Sequence, residues 1–142
     1  MAYHFLGGKC KHFQIPTLVR AESYFVKTTN QASITTTIYS KKGILEKTKW
    51  TNASDSAESD WMSVYQSILF SLEKGHPSIH IEHSNRNVIN TLIGHKIRKP
   101  KPYIHTYKSN ILFVANQTDF TGIRWIPDAE TEDENDIVFA LL

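Results

Sequence analysis

Ile123-Arg124-Trp125-Ile126-Pro127, followed by Asp128-Ala129-Glu130-Thr131-Glu132-Asp133-Glu134-Asn135-Asp136 and the apolar tail Ile137 to Leu142, decides how this chain is read. The residues before Pro127 suit a short strand, and a proline there breaks the ladder into a turn. The acids that follow suit the first turns of a helix, where an exposed carboxylate interacts with the helix dipole by about 0.3–1 kcal/mol. The stretch therefore reads as a strand, a proline turn and a final helix, with Asp136 early on that helix beside a sheet edge. The dipole accounts for most of the acidic run, so only Asp136 or a neighbour need serve a site.

Upstream, the regular signals begin at Ser23. Tyr24-Phe25-Val26 is rich in strand formers, and Ala32 to Tyr39 alternates through Ile34, Thr36 and Ile38. Gly43 turns the chain after Lys41-Lys42, and Ile44 to Trp50 returns as a third strand. The period then changes: Trp61, Val64, Tyr65, Ile68, Leu69 and Leu72 recur at helical spacing until Gly75 and Pro77. Ile79 and Ile81 make a fourth strand. Ser84-Asn85 caps a second helix carrying Val88, Ile89, Leu92 and Ile93, which Gly94 closes. Ile104, Tyr107, Ile111 and Ala115 suit a third helix, and the fifth strand covers about residues 121–126. Residues 1–22 lack clean periodicity and are expected to form an N-terminal extension packed on a domain of residues 23–142. Strand four follows a helix, so it can join the meander in parallel through a right-handed crossover.

The bulk properties are those of a single globular domain. The chain has 142 residues, 40% of them hydrophobic and 21% charged. A net charge of +2 leaves a nucleic-acid partner to be decided by how the cations cluster. One cysteine, Cys10, precludes an internal disulfide and suits a reducing compartment. No apolar run approaches the roughly 20 residues needed to cross a bilayer, and the first residues do not read as a signal peptide. The expectation is a soluble, cytoplasmic or otherwise intracellular protein with no membrane partner.

Four segments, in order, resemble the ribonuclease H-like superfamily, close in layout to ribonuclease HI and the reverse-transcriptase-associated domains. They are Ser59-Asp60-Trp61-Met62-Ser63-Val64-Tyr65; Ile79 to Ile89, with Glu82-His83-Ser84-Asn85 at its centre; the helix of residues 103–116; and Ile123 to Pro127 with the acids behind it. The resemblance covers about residues 23–142. It implies an α/β (α+β mixed) domain with a five-stranded mixed sheet, element order βββαβααβα and helices on both faces.

Active members of that family cleave the RNA strand of an RNA–DNA hybrid with two magnesium ions. Hard divalent ions want charged oxygens, and clamping both the attacking and leaving oxygens takes three or four converging carboxylates. In the family these lie on strand one, helix one, the end of strand four and the start of the last helix. Carried onto this sequence, the strand-one position falls at Lys27 or Thr28 and the strand-four position at Ser84, so neither holds an acid. The helix-one position falls on Asp60, with Glu58 as the alternative register; the two lie about 200° apart around a helix, so only one can face the site. The final position falls on Asp136, or on Asp133 or Glu134 if the turn is shorter. A cation at Lys27 would pair with Asp60 or Asp136 and compete with magnesium. Glu82 lies two residues before Ser84, and strand alternation is expected to turn both to one face, so Glu82 could reach towards the vacant position.

The strongest basic cluster is the connector His95-Lys96-Ile97-Arg98-Lys99-Pro100-Lys101-Pro102. Its cations suit phosphate contacts that are salt-dependent and indifferent to sequence, unless they are simply a solvated loop. Arg86 and Lys108 are candidates to join Lys96, Arg98, Lys99 and Lys101 on one face. Trp61 and Trp125 read as packing residues. His80, Glu82 and His83 invite a metal reading, but alternation turns His83 away from the other two. Cys10-Lys11-His12 with His4 lacks zinc spacing.

Three readings follow. The leading one is a nucleic-acid-binding domain for RNA–DNA hybrid or duplex RNA, with Asp60 and Asp136 vestigial and no cofactor implied. The second is a divergent ribonuclease using Asp60, Glu82 and Asp136 with Mg2+ or Mn2+. The third is a scaffold that docks a protein partner.

Overall fold

The computed structural model describes residues 3–10 and 15–127. Its elements are β1 (His4–Gly7), β2 (Thr17–Val26), β3 (Gln31–Ser40), β4 (Gly43–Asn52), α1 (Ser56–Glu73), β5 (Ser78–His83), α2 (Arg86–Leu92), α3 (Ile104–Ala115) and β6 (Phe120–Trp125). They build one mixed sheet in the order β1-β6-β5-β2-β3-β4. β2, β5 and β6 run parallel, β2-β3-β4 form an antiparallel meander, and β1 closes the far edge antiparallel to β6.

The expected succession from the meander to β6 is present, with two corrections. The sheet has six strands among the described residues rather than five, because His4–Gly7 pairs with β6 instead of forming an irregular extension. The first long strand starts at Thr17, so the boundary expected between residues 22 and 23 falls inside β2. Val19 and Ala21 alternate into the core with Arg20 and Glu22 between them, as a half-buried strand requires. The acidic run and the final helix expected after Pro127, Asp136 included, lie outside the described residues.

One core joins α1, α2 and α3 to a single face of the sheet. Val19, Ala21, Ile38, Ile79, Ile81 and Ile123 meet Trp61, Val64 and Ile68 of α1, Val88, Ile89 and Leu92 of α2, and Ile111 and Val114 of α3. The helix α1 lies close to the strands through an unusual seam. Ser59, Ser63, Ser67 and Ser71 recur every four residues and are all fully buried. Each hydroxyl donates to a backbone carbonyl of its own helix or cap: Asp55, Asp60, Val64 and Ser67 respectively. Small side chains let the backbone approach, and the internal bonds remove the penalty of burying a hydroxyl.

Local chemistry sets the ends of the elements. Asp55 caps α1 by accepting the Glu58 amide at 2.8 Å, and Glu58 reciprocates by accepting the Ser54 amide at 2.7 Å. Gly43 turns β3 into β4 with φ of 120°, a conformation that a side chain would strain. No helix among the described residues is long and apolar enough to cross a membrane.

Candidate nucleic-acid interface

The parallel strands β2, β5 and β6 all point their carboxyl ends to the same side of the molecule, where open α/β sheets hold their ligands. The strand β5 makes its last pair with β2 at Arg20↔Glu82, whereas β2 runs on to Val26. The ladder edge of β2 facing β5 is therefore unpaired beyond that point. A cleft of about 610 Å3 opens there, walled by Ser23 and Phe25 of β2, Asp60 of α1, Ser84 and Asn85 after β5, and Trp125 at the end of β6.

Asp60 stands at the centre of that cleft, and both of its carboxylate oxygens are occupied. The Ser23 hydroxyl donates to Oδ1 at 2.6 Å, and the Asn85 side-chain amide donates to Oδ2 at 2.7 Å. Asn85 is itself fixed, because its Oδ1 caps α2 by accepting the amides of Asn87 and Val88 at 2.9 and 3.3 Å. Its backbone N–H donates to His83 Nδ1 at 3.0 Å. An Nδ1 that accepts leaves the ring proton on Nε2, which meets the Ser63 hydroxyl at 2.9 Å. Ser63 then donates to the Asp60 carbonyl at 2.7 Å. The four residues close a ring of hydrogen bonds that ties α1 to the β5–α2 junction. His83 is fully buried within it, and burial pushes its imidazole below the ordinary histidine range, more than Asp60 raises it.

Several expected site residues take other places. Lys27 and Thr28 are exposed in the turn beyond β2, and neither lines the cleft. The strand-one residue that reaches Asp60 is Ser23, and neutral donors stand where a cation was expected to pair with Asp60. The register differs because the strand starts at Thr17 and not at Ser23; the alternation Val19-Arg20-Ala21-Glu22-Ser23 after Pro16 carries the correct one. Glu58 is spent on the cap of α1 and on the Tyr107 hydroxyl at 3.3 Å, whereas Asp60 lines the cleft.

Glu82 does not reach towards the cleft centre. It is buried on the opposite sheet face, where it accepts Arg124 Nε at 3.0 Å, a second close contact from Arg124 Nη2, and Arg20 Nη2 at 3.5 Å. The chain turns after β5 ends at His83, so the expected alternation between Glu82 and Ser84 does not hold. Ser84 itself lies in the cleft wall, its carbonyl accepting the Trp125 indole N–H at 2.9 Å. His80 shares the face of Glu82 and stacks under Tyr3 at 3.6 Å between ring centroids, while His83 faces α1. Among the described residues, no three histidine, cysteine, aspartate or glutamate side chains are grouped to hold a metal ion.

The cations divide into two sets. Arg20 and Arg86 line the cleft, and the Arg86 guanidinium lies 3.8 Å over the Trp125 ring. Lys96, Arg98, Lys99 and Lys101 are exposed on the connector, and Lys108 on α3 stands outside the cleft wall. The connector is nonetheless moored beside the cleft, at the N-terminus of α1. Lys101 Nζ lies 3.6 Å from Asp55, and the Tyr103 hydroxyl donates to Asp55 at 2.7 Å. Burial works against the Asp55 charge, but Tyr103, the Glu58 amide and Lys101 outweigh it and hold the carboxyl below its ordinary range. Burial, then Asp55, push the Tyr103 phenol up; Tyr107, buried beside Glu58, is pushed up to about 12.

No protein-family model matches the sequence, and no curated protein does either. Solved structures do. Ribonuclease H1 from the halophilic archaeon Halobacterium salinarum NRC-1 superimposes with a TM-score of 0.72 at 13% identity, over 81% of this chain and 88% of that one. The N-terminal ribonuclease H domain of Rv2228c from Mycobacterium tuberculosis gives 0.68 at 12%, over 82% and 90%. LC11-RNase H1, isolated from compost by a metagenomic approach and solved in complex with an RNA/DNA hybrid, gives 0.68 at 14%, over 89% and 99%. At such identities the likeness is one of fold.

Proposed function

We propose that this chain, which has a ribonuclease H-like fold, binds RNA–DNA hybrid or duplex RNA through the cleft around Asp60 without cleaving it. The observation that carries this reading is the state of Asp60, whose two oxygens are taken by Ser23 and Asn85 where a metal-dependent site would place further carboxylates. Magnesium or manganese does not fit the described donors: serine and asparagine bring no charge, and Glu82 is committed to two arginines. Asp60 with Asp136 would supply two carboxylates, fewer than a two-metal clamp requires. What the cleft offers is a polar floor flanked by Arg20 and Arg86, with the connector cations moored alongside. Such a surface neutralises phosphates and reads backbone shape.

The test is a titration of a blunt RNA–DNA hybrid at several salt concentrations. Binding should weaken with salt, and Arg86→Ala should cost several-fold in affinity. Neutralising Lys96, Arg98, Lys99 and Lys101 together should flatten the plot of log affinity against log salt, by about 0.9 for each phosphate that is no longer neutralised. Unchanged affinity in both variants would contradict the reading.

A further inference from the structure

The cleft does not end at Asp60. It continues around the unpaired edge of β2 onto the sheet face opposite α1, where its wall is formed by Arg20, Glu22, Tyr24, Ser33 and Thr35. Strand register shows what lies beyond. Tyr24 pairs with Ser33, and Ser33 pairs with Trp50, so the three side chains stand in one row across β2, β3 and β4. Paired residues of antiparallel strands share a face, and this is the face that α1 does not cover. Tyr24 and Trp50 are each 58% exposed. Two strand spacings separate them, about 10 Å, with only the small Ser33 between. That gap admits one flat ring.

The next pairing down the same face adds hydroxyls in place of rings: Thr35 and Thr48 lie opposite each other, with their oxygens 3.0 Å apart and exposed. Exposed lysines stand at the two ends of this face, Lys27 in the turn after β2 and Lys41 and Lys42 in the turn after β3, while Glu22 and Glu46 share the face itself. Lys47 and Lys49 pair with Thr36 and Ile34 and so turn to the α1 side of the sheet, where Lys47 lies 3.9 Å from Glu73. Two large exposed aromatics with one strand between them, beside a hydroxyl pair and continuous with the cleft wall, make the geometry of a stacking platform, where bases are held through their faces irrespective of sequence.

We infer that Tyr24 and Trp50 form a second nucleic-acid subsite, which stacks an unpaired base of a single-stranded extension leaving the Asp60 cleft across Ser33. The inference rests on the proposed function, since it takes the cleft to hold the duplex part of the same ligand. The preferred ligand is then a hybrid or duplex with a single-stranded tail, not a blunt one.

Fluorescence anisotropy with three probes tests it: a blunt RNA–DNA hybrid, the same hybrid with a uridine tail, and the tail alone. The tailed hybrid should bind about tenfold tighter than the blunt one, within what stacking one base contributes. Tyr24→Ala combined with Trp50→Ala should bring tailed and blunt hybrids to equal affinity, and Trp50→Phe should keep most of the tail's advantage. Both residues are exposed, so circular dichroism and thermal melting of the variants should match the parent. Equal binding of tailed and blunt probes by the parent would overturn the platform and leave the cleft reading standing. Failure to bind any probe would overturn both. If the double variant instead changes only the oligomeric state measured by light scattering, the aromatic row belongs to an interface between copies and the inference falls.

Discussion

The residue on which the cleft depends is Asn85, because it does three jobs at once. Its side chain holds Asp60 and caps α2, and its backbone N–H is received by His83. Protonating His83 puts a proton on Nδ1 facing that N–H, so the fold opposes it. Burial, the larger effect, opposes it as well. The unfolded chain, with an ordinary histidine value near 6.5, takes up the proton that the native state refuses. Stability from this group is therefore complete above pH 6.5 and declines as pH falls below it. His80 is lowered too, by burial and then by Arg124, and acts in the same direction. The stability that the Asp55 carboxyl contributes is present above its ordinary range and is lost only in a separate, more acidic window, where its charge is neutralised. Thermal melts between about pH 7.5 and 5 should show a falling Tm, and His83→Gln should flatten the fall without abolishing it. A slope unaffected by His83→Gln would contradict the assignment. None of this ring is legible in the sequence. Alternation shows His83 facing away from His80, but its partners Ser63 and Asn85 lie 20 residues before it on α1 and in its own turn.

At the scale of elements, the seam of Ser59, Ser63, Ser67 and Ser71 explains why sequence periodicity identifies α1 as a helix but describes its surface incompletely. Apolar spacing picks out Trp61, Val64 and Ile68, which sink into the core, but the strip nearest the strands is polar by composition and dry by position. Overpacking it should be costly. Ser67→Leu adds a branched side chain where the hydroxyl is fully buried, and is expected to destabilise by about 1–3 kcal/mol. Ser67→Ala, which keeps the volume small, should cost much less. Chemical denaturation of the two variants checks this, and equal midpoints would contradict close packing at the seam. The strands are legible in proportion to their hydrophobic contrast. Ala32 to Tyr39 stands out through Ile34 and Ile38, whereas the first half of β2 alternates small Ala21 with charged Arg20 and Glu22 and gives little contrast. β1 is four residues long with two of them exposed, too short for a period to register. The weak signal in β2 is what displaces the expected strand-one site residue from Ser23 to Lys27-Thr28, a register difference with a direct consequence for the site.

At the scale of the whole molecule, the fold and the chemistry of the site carry different messages. The six-stranded sheet with its helices aligns over most of its length with structures of ribonuclease H1, one of them holding an RNA/DNA hybrid. The cleft sits at the carboxyl ends of β2, β5 and β6, with Asp60 of the first helix at its centre. The donors around Asp60 are those of a hydrogen-bonded structural site, with arginines at its rim. The sequence by itself points to missing acids at the first and third positions. Contacts across the fold are needed to see that Glu82 is bound by Arg20 and Arg124 and that Ser23 and Asn85 hold Asp60. The most direct measurement is the anisotropy of a fluorescently labelled RNA–DNA hybrid followed over time with manganese present. A rise on adding protein, a plateau that persists, and full reversal by high salt with the hybrid intact are expected. A rise followed by decay to the value of short fragments, abolished by Asp136→Asn, would contradict binding without cleavage.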